Sequence, residues 1–287
     1  MSYYTVLGFK KEPFSTSPDP EFFYQSDEHK AALVNILIEI RLKRGLSVVL
    51  GDIGTGKTTL SRKMFQMLSS RENINFYMIL DPSYDTEHMF LSSLVGTFGI
   101  DLKTDNCNIV DLKEGIKRFL FQKGVNENKT IVLLIDEAQK LNTMSLELLR
   151  MLLNYETNEF KLLQLVLLGQ IELMPRIVDI KNFMDRVSLR YTLTPFRKEE
   201  TKEMIRFRIR QAGYQGGEEL FTDDAISEIY QYTQGYPRRI GMLCHKALKF
   251  LVMRNKPIVT PEVIKEVIDN EVRLGWHTKD LLLKNNY

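Results

Sequence analysis

Eight consecutive residues carry the most specific chemistry in the chain: Gly51-Asp52-Ile53-Gly54-Thr55-Gly56-Lys57-Thr58. They match G-x-x-x-x-G-K-[ST] in full, between an apolar run and a helical stretch. Glycines at these positions let several backbone N–H groups turn toward one anion. A helix starting near Lys57 adds its positive end. The Lys57 ammonium suits β- and γ-phosphates, and the Thr58 hydroxyl suits Mg²⁺. Together with Thr59, which continues the helix start, these residues are the candidate nucleotide contacts.

A second constellation lies in Ile131-Val132-Leu133-Leu134-Ile135-Asp136-Glu137, which sets two carboxylates at the end of an apolar run. If the run is a strand, they sit at the carboxyl edge of a sheet, where open α/β sheets bind ligands. Asp136 would then orient Mg²⁺, and Glu137 would act as general base on the attacking water. Glu137 argues for hydrolysis over binding alone. A guanine site would want Asn-Lys-x-Asp, and Asn128-Lys129-Thr130-Ile131 lacks the acidic residue, which favours ATP as the nucleotide.

These residues need a scaffold, and the hydrophobic pattern supplies one. Short apolar strands are expected at 46–50, 75–80, 130–135, 162–168 and 187–193. Helices are expected at 28–43, 58–68, 86–98, 110–122 and 144–153. Continuous apolar strands alternating with helices indicate a parallel sheet covered on both faces. Past Pro195 the pattern changes to helices at 198–212, 222–233, 237–254 and 260–272, with turn signals between them. The expected fold is α/β: a three-layer phosphate-loop core with a parallel sheet, followed by a small all-helical lid. The expected division is a lead-in and helix packed on the core (1–45), the core (46–195), the lid (196–272) and a fraying tail (273–287) that holds Trp276.

Composition narrows the class. The chain has 287 residues, 44% apolar and 26% charged, which excludes disorder over most of its length. With 39 Lys+Arg against 37 Asp+Glu, the net charge of +2 does not mark a general polyanion binder, though it leaves room for a local basic patch. Cys107 and Cys244 form no metal-ligand spacing and no disulfide framework, which fits a reducing compartment. Residues 1–10 lack the pattern of a signal peptide. The apolar run at 162–168 falls far short of the roughly 18 residues a membrane span needs. A cytoplasmic protein without direct membrane insertion is expected, peripheral at an inner membrane only through a partner.

The phosphate loop, the Asp-Glu strand end and the appended helical lid together resemble the AAA+ ATPases. Phe9-Lys10-Lys11-Glu12-Pro13-Phe14-Ser15-Thr16-Ser17-Pro18-Asp19-Pro20, with Phe23, Tyr24 and His29, is similar to the opening of the ExeA (GspA, MshM) family. Asp136-Glu137-Ala138-Gln139, Leu168-Gly169-Gln170 with Glu172 and Leu173, and Gly235-Tyr236-Pro237-Arg238-Arg239-Ile240 fit the same family. The resemblance spans about residues 3–270 and implies an ATPase linked to type II secretion or pilus-like assembly. Its ligands would be ATP and Mg²⁺. It implies a nucleotide-dependent oligomer, a ring or a filament, working with a protein partner of such a machine, membrane-bound in some systems.

The resemblance also implies residue roles. Gln170 would be the first sensor, a polar group near the γ-phosphate. Arg238, with Arg239 as the weaker candidate, would be the second sensor, reaching from the lid to the phosphates. Arg186 would be an arginine finger for the neighbouring subunit, with Arg190 as runner-up. Secretion members of the family often continue into a membrane helix and a cell-wall-binding domain, and neither follows here before Tyr287. The short form resembles the cytoplasmic members and the TniB and MuB target-selection ATPases of transposons, which makes DNA a second candidate partner. A nucleotide-controlled scaffold that hydrolyses slowly is a third reading.

Other signals carry less. Lys202, Arg206, Arg208 and Arg210 spread around one lid helix and read as a solvated face before a phosphate patch. Arg41, Lys43 and Arg44 suit a helix C-terminus. The histidines, His29 included, show no metal spacing. Phe9, Phe14 and Phe23 either wall an adenine pocket or pin the lead-in to the core.

Overall fold

The computed structural model describes residues 2–15, 17, 19–104, 107–216 and 219–273. The tail with Trp276 and His277, and Thr16 and Pro18 of the lead-in, lie outside these residues. In chain order the helices and strands begin α1 (Tyr3–Val6), α2 (Asp27–Arg41), β1 (Leu46–Gly51), α3 (Lys57–Leu68), β2 (Ile74–Ile79), α4 (Glu87–Phe98), α5 (Ile109–Phe121) and β3 (Thr130–Ile135). They continue with α6 (Thr143–Leu152), β4 (Leu163–Gly169), α7 (Leu173–Asp179), β5 (Val187–Leu193), α8 (Lys198–Gln211), α9 (Asp223–Thr233), α10 (Pro237–Arg254) and α11 (Pro261–Arg273). Two compact units result, residues 25–194 and residues 1–24 with 195–287.

The larger unit is an α/β layer structure. Among the described residues its sheet has five strands in the order β2-β3-β4-β1-β5, and every pairing is parallel. The central strands β1 and β4 are buried along their whole length and β3 along nearly all of it. That is why they read as unbroken apolar runs rather than alternating ones. The edge strand β5 alternates between half-buried and exposed residues until Leu193, which accounts for its weaker signal.

Register brings the functional segments together. Ile135 stands opposite Leu167, Leu50 opposite Gly169 and Gly51 opposite Leu193. The carboxyl ends of β1, β3 and β4 therefore share one edge, and the loops that leave them emerge side by side.

Four helices of this unit, α2, α4, α5 and α6, start on a side-chain cap. Ser26 accepts from the His29 N–H, Thr86 from Met89 and Asn142 from Ser145, all as N-caps. Asn108 and Asp111 form a reciprocal capping box on α5.

The smaller unit is helical and discontinuous in sequence. Phe9, Phe14 and Phe22 are buried in one cluster with Ile205, Phe221 and Leu248. The Phe14 ring meets Phe221 edge-on, with centroids 6.0 Å apart. The Lys10 and Lys11 N–H groups both donate to the Ala212 carbonyl, at 2.9 and 3.1 Å. This corrects the division expected from sequence. Only α2 of residues 1–45 belongs with the core, while the lead-in before it completes the helical unit. Phe9 and Phe14 consequently pin the lead-in to the helices after Pro195, not to the α/β core.

One cation of α8, Arg208, differs from expectation. Lys202 bonds Asp223 at 2.6 Å, and Arg206 pairs with Glu219 and Asp223. Arg208 turns inward, its Nε buried without a hydrogen-bond partner among the described residues, and burial pushes its guanidinium pKa down. No continuous solvated basic face results.

Candidate functional site

The phosphate loop leaves β1 at Gly51 and enters α3 at Lys57. Gly54 and Gly56 have φ of +87° and +102°, conformations that side chains strain to adopt. Gly56 is the N-cap of α3, so no side chain caps its first-turn N–H groups. A helix N-terminus without a side-chain acceptor, preceded by two left-handed glycines, fits a phosphate. Asp52 and Ile53 are exposed at the tip, while Thr55 is fully buried and donates from Oγ1 to the Asp52 carbonyl at 2.9 Å.

Lys57 is buried, and its Nζ donates to the carbonyls of Gly51 and Asp52 at 2.7 and 2.9 Å. Burial holds its pKa below the ordinary lysine value, against the pull of nearby Glu137, Asp136, Asp52 and Glu172. Those carboxylates offset part of the burial penalty on the ammonium.

Thr58 and Asp136 meet. The Thr58 hydroxyl favours the ionised Asp136 carboxylate, the Glu137 N–H donates to Asp136 Oδ1 at 2.9 Å, and Ser61 Oγ lies 3.4 Å from Oδ2. Asp136 is buried, which raises its pKa, while these hydrogen bonds pull the other way. A hydroxyl beside one carboxylate at the phosphate loop is the donor set Mg²⁺ takes alongside phosphates and water. No group of three or more His, Cys, Asp or Glu residues gathers for a metal among the described residues, so an all-protein cage is not the arrangement here.

Glu137 follows with φ of 52° and ψ of 36°. Its Oε2 accepts from Gln139 Nε2 at 2.6 Å, and Gln139 Oε1 accepts the Gln170 N–H at 3.0 Å. Gln170 thus stands beside the carboxylate pair, as the expected β3–β4 adjacency requires.

Sequence reading assigned no chemistry to His29, yet the residue belongs to the site. It is buried, and its Nε2 donates to the Thr55 carbonyl at 2.9 Å. That carbonyl only accepts, so Nε2 carries the proton and Nδ1 accepts from Ser26 Oγ at 2.7 Å. A Cβ on Gly56 would stand 2.9 Å from His29 Nε2. The ring therefore braces the phosphate loop from behind. The available signal was Ser26-x-x-His29 at a helix start, which a search for metal spacing passes over.

Arg186 lies away from these groups. It ends a short 3₁₀ turn just before β5 and is half-buried, at the amino edge of the sheet. Because Leu46 pairs with Val187 and Gly51 with Leu193, it is a full strand length, roughly 20 Å at about 3.3 Å per residue, from the loop of its own chain. Arg190 is exposed on β5. Arg238 belongs to the helical unit, exposed in the first turn of α10, and Arg239 lies over the Tyr236 ring at 4.5 Å. No helix among the described residues is long and apolar enough to cross a membrane.

Comparison with known proteins agrees with this geometry. Residues 40–177 match the AAA domain family. The chain is 35% identical over 248 residues to general secretion pathway protein A of Aeromonas hydrophila, covering 86% of this chain and 44% of that protein. It is 26% identical over 250 residues to an uncharacterized HTH-type transcriptional regulator of Methanocaldococcus jannaschii, covering 83% of this chain and 59% of that one. The chain thus spans about half the length of these relatives. Among solved structures, the Aeropyrum pernix ORC2 protein in its ADPNP-ADP complexes superposes with a TM-score of 0.66 at 15% identity, over 91% of this chain and 72% of that one. The α/β sheet with its phosphate loop and the helices after it are therefore of the AAA+ type, and in sequence the chain belongs with the ExeA-like AAA+ proteins.

Proposed function

We propose that the chain hydrolyses ATP with Mg²⁺ and that hydrolysis serves a secretion or pilus-like assembly machine. The observation that carries the first half is the buried Asp136 carboxylate, held by Ser61 and the Glu137 N–H beside Thr58, together with a buried Lys57 at the phosphate loop. In this reading the loop from Gly51 to Thr59 holds the phosphates through backbone N–H groups, and Lys57 leaves its loop carbonyls for the β- and γ-phosphates. Thr58 and Asp136 hold Mg²⁺, which when bound neutralises charge on the phosphate oxygens. Glu137 accepts a proton from the attacking water, and Gln170 orients the γ-phosphate side of the site. Arg238 senses phosphate, and Arg186 completes the site of a neighbouring copy, which makes turnover depend on assembly. The position of Arg186 at the far edge of its own sheet supports action in trans only.

The second half rests on the 35% identity to general secretion pathway protein A. The test is steady-state phosphate release at fixed salt with Mg²⁺, with EDTA and with duplex DNA, on the wild type and on Glu137→Gln. Turnover that needs Mg²⁺, is lost in Glu137→Gln with nucleotide affinity retained, and ignores DNA fits the proposal. Stimulation by DNA that added salt abolishes would replace the secretion role with a DNA-bound one. Turnover retained in Glu137→Gln would remove Glu137 as base.

A further inference from the structure

We infer that Gln139 is a positioning residue that sets the orientation of Glu137, and that it ties this carboxylate to the end of β4. The inference rests on Glu137 acting as the base in the reading above. Gln139 sits one turn beyond the carboxylate pair, in the 3₁₀ turn Ala138–Lys140, and is half-buried. Its amide spans two unlike partners. Nε2 donates to Glu137 Oε2 at 2.6 Å, and Oε1 accepts the Gln170 N–H at 3.0 Å. A carboxylate can only accept and a backbone N–H can only donate, so chemistry fixes which end of the amide faces which partner.

The turn that carries Gln139 is itself held. Arg176 of α7 donates from Nη1 to the carbonyls of Gln139 and Leu141, at 2.8 and 3.2 Å. Glu137 needs such a hold because its backbone occupies the left-handed region at φ 52°, which a glutamate does not favour by itself.

One effect follows directly. With Oε2 occupied by the amide, Oε1 is the oxygen left to accept a proton from water. The charged groups that face this pair are Lys57 from α3, Asp136 from the same loop and Arg176 from α7. None of these supplies the neutral donor that Gln139 does. Because the same amide holds the Gln170 N–H, a movement at the end of β4 would be felt at Glu137.

The test uses the full chain and single-turnover ATP hydrolysis at protein concentrations where the wild type is active, with ATP affinity measured separately. Gln139→Leu keeps the volume and removes both hydrogen bonds. It should lower the hydrolysis rate on the order of 10- to 100-fold, as expected for a misplaced base, with ATP affinity and thermal midpoint near wild type. Gln139→Glu keeps an acceptor for the Gln170 N–H but removes the donor to Glu137. Its rate should fall as that of Gln139→Leu does, with ATP affinity again near wild type. Rates within about twofold of wild type in both variants, while Glu137→Gln has lost hydrolysis, would overturn the inference and leave Glu137 as base. Equal losses of rate, affinity and thermal midpoint in Gln139→Leu would make the residue merely structural, which also overturns it. Hydrolysis retained in Glu137→Gln would instead sink the underlying reading of the base.

Discussion

Replacing His29 with phenylalanine isolates the brace behind the phosphate loop. The ring is 1% exposed and makes two hydrogen bonds, Nε2 to the Thr55 carbonyl at 2.9 Å and Nδ1 with Ser26 Oγ at 2.7 Å. Phenylalanine keeps a planar ring of similar size and removes both. Ser26 can still cap α2 through the His29 position's N–H, since that bond is to the backbone. The Thr55 carbonyl, in a fully buried residue, has no such recourse. Leaving one buried acceptor unpaired costs about 1–3 kcal/mol. If the loop relaxes to relieve it, the same energy must be restored when nucleotide binds, so ATP affinity should fall by about 5- to 150-fold. If the loop stays put, global stability falls by that amount instead.

Titration with a fluorescent ATP analogue, together with urea unfolding, measures both. The pH response gives an independent check. Burial holds the His29 ring below its ordinary pKa, so below about 6.5 the unfolded chain binds a proton that the folded chain resists. The His29 contribution is complete above that pH and is lost as the pH falls toward the folded value. Wild-type stability should therefore drop more steeply than that of His29→Phe on acidification. Affinity within about twofold of wild type and stability within about 0.5 kcal/mol, with parallel pH curves, would refute the brace.

Further outcomes follow from the same geometry. Gly56→Ala places a Cβ 2.9 Å from His29 Nε2 at φ +102°; nucleotide binding should fall at least about tenfold, and adding His29→Ala should restore part of it, as measured by the same titration. Arg186→Ala and Glu137→Gln should each be inactive alone, while a mixture regains turnover because one copy supplies the arginine and the other the base; no recovery on mixing would remove the trans role. Phe14→Ala removes a fully buried ring from the helical cluster and should cost about 3–5 kcal/mol. In limited proteolysis, cleavage should then appear in the helical unit before the α/β unit.

Sequence made the α/β unit legible because its strands are buried on both faces. β1, β3 and β4 could not be anything but unbroken apolar runs, and the turn residues after each marked where the loops emerge at one edge. Thr58, Asp136 and Gln170 are separated by more than a hundred residues yet share an edge, and parallel register alone predicted that. What sequence concealed was partnership at a distance. The aromatics Phe9 and Phe14 showed that something must bury them, but not which helices would. His29 and Gln139 stood out only as matches to family motifs and carried no role, since a hydrogen bond to a carbonyl or to another side chain's amide has no spacing rule. Arg208 read as solvated because periodicity around a helix does not reveal how deep its neighbours stand.

The helical unit is assembled from two segments, with residues 25–194 running uninterrupted between them. During synthesis, Phe9, Phe14 and Phe22 leave the ribosome before the α/β unit and the helices that bury them leave after it. At about 5–20 residues per second, those rings wait on the order of ten seconds or more, exposed to other chains and chaperones, while the α/β unit can fold in the interval. Newly made protein would therefore pass through a stage with its phosphate loop formed and its helical unit unfinished, and a nick near Phe9 or Phe14 would damage helices made about two hundred residues later.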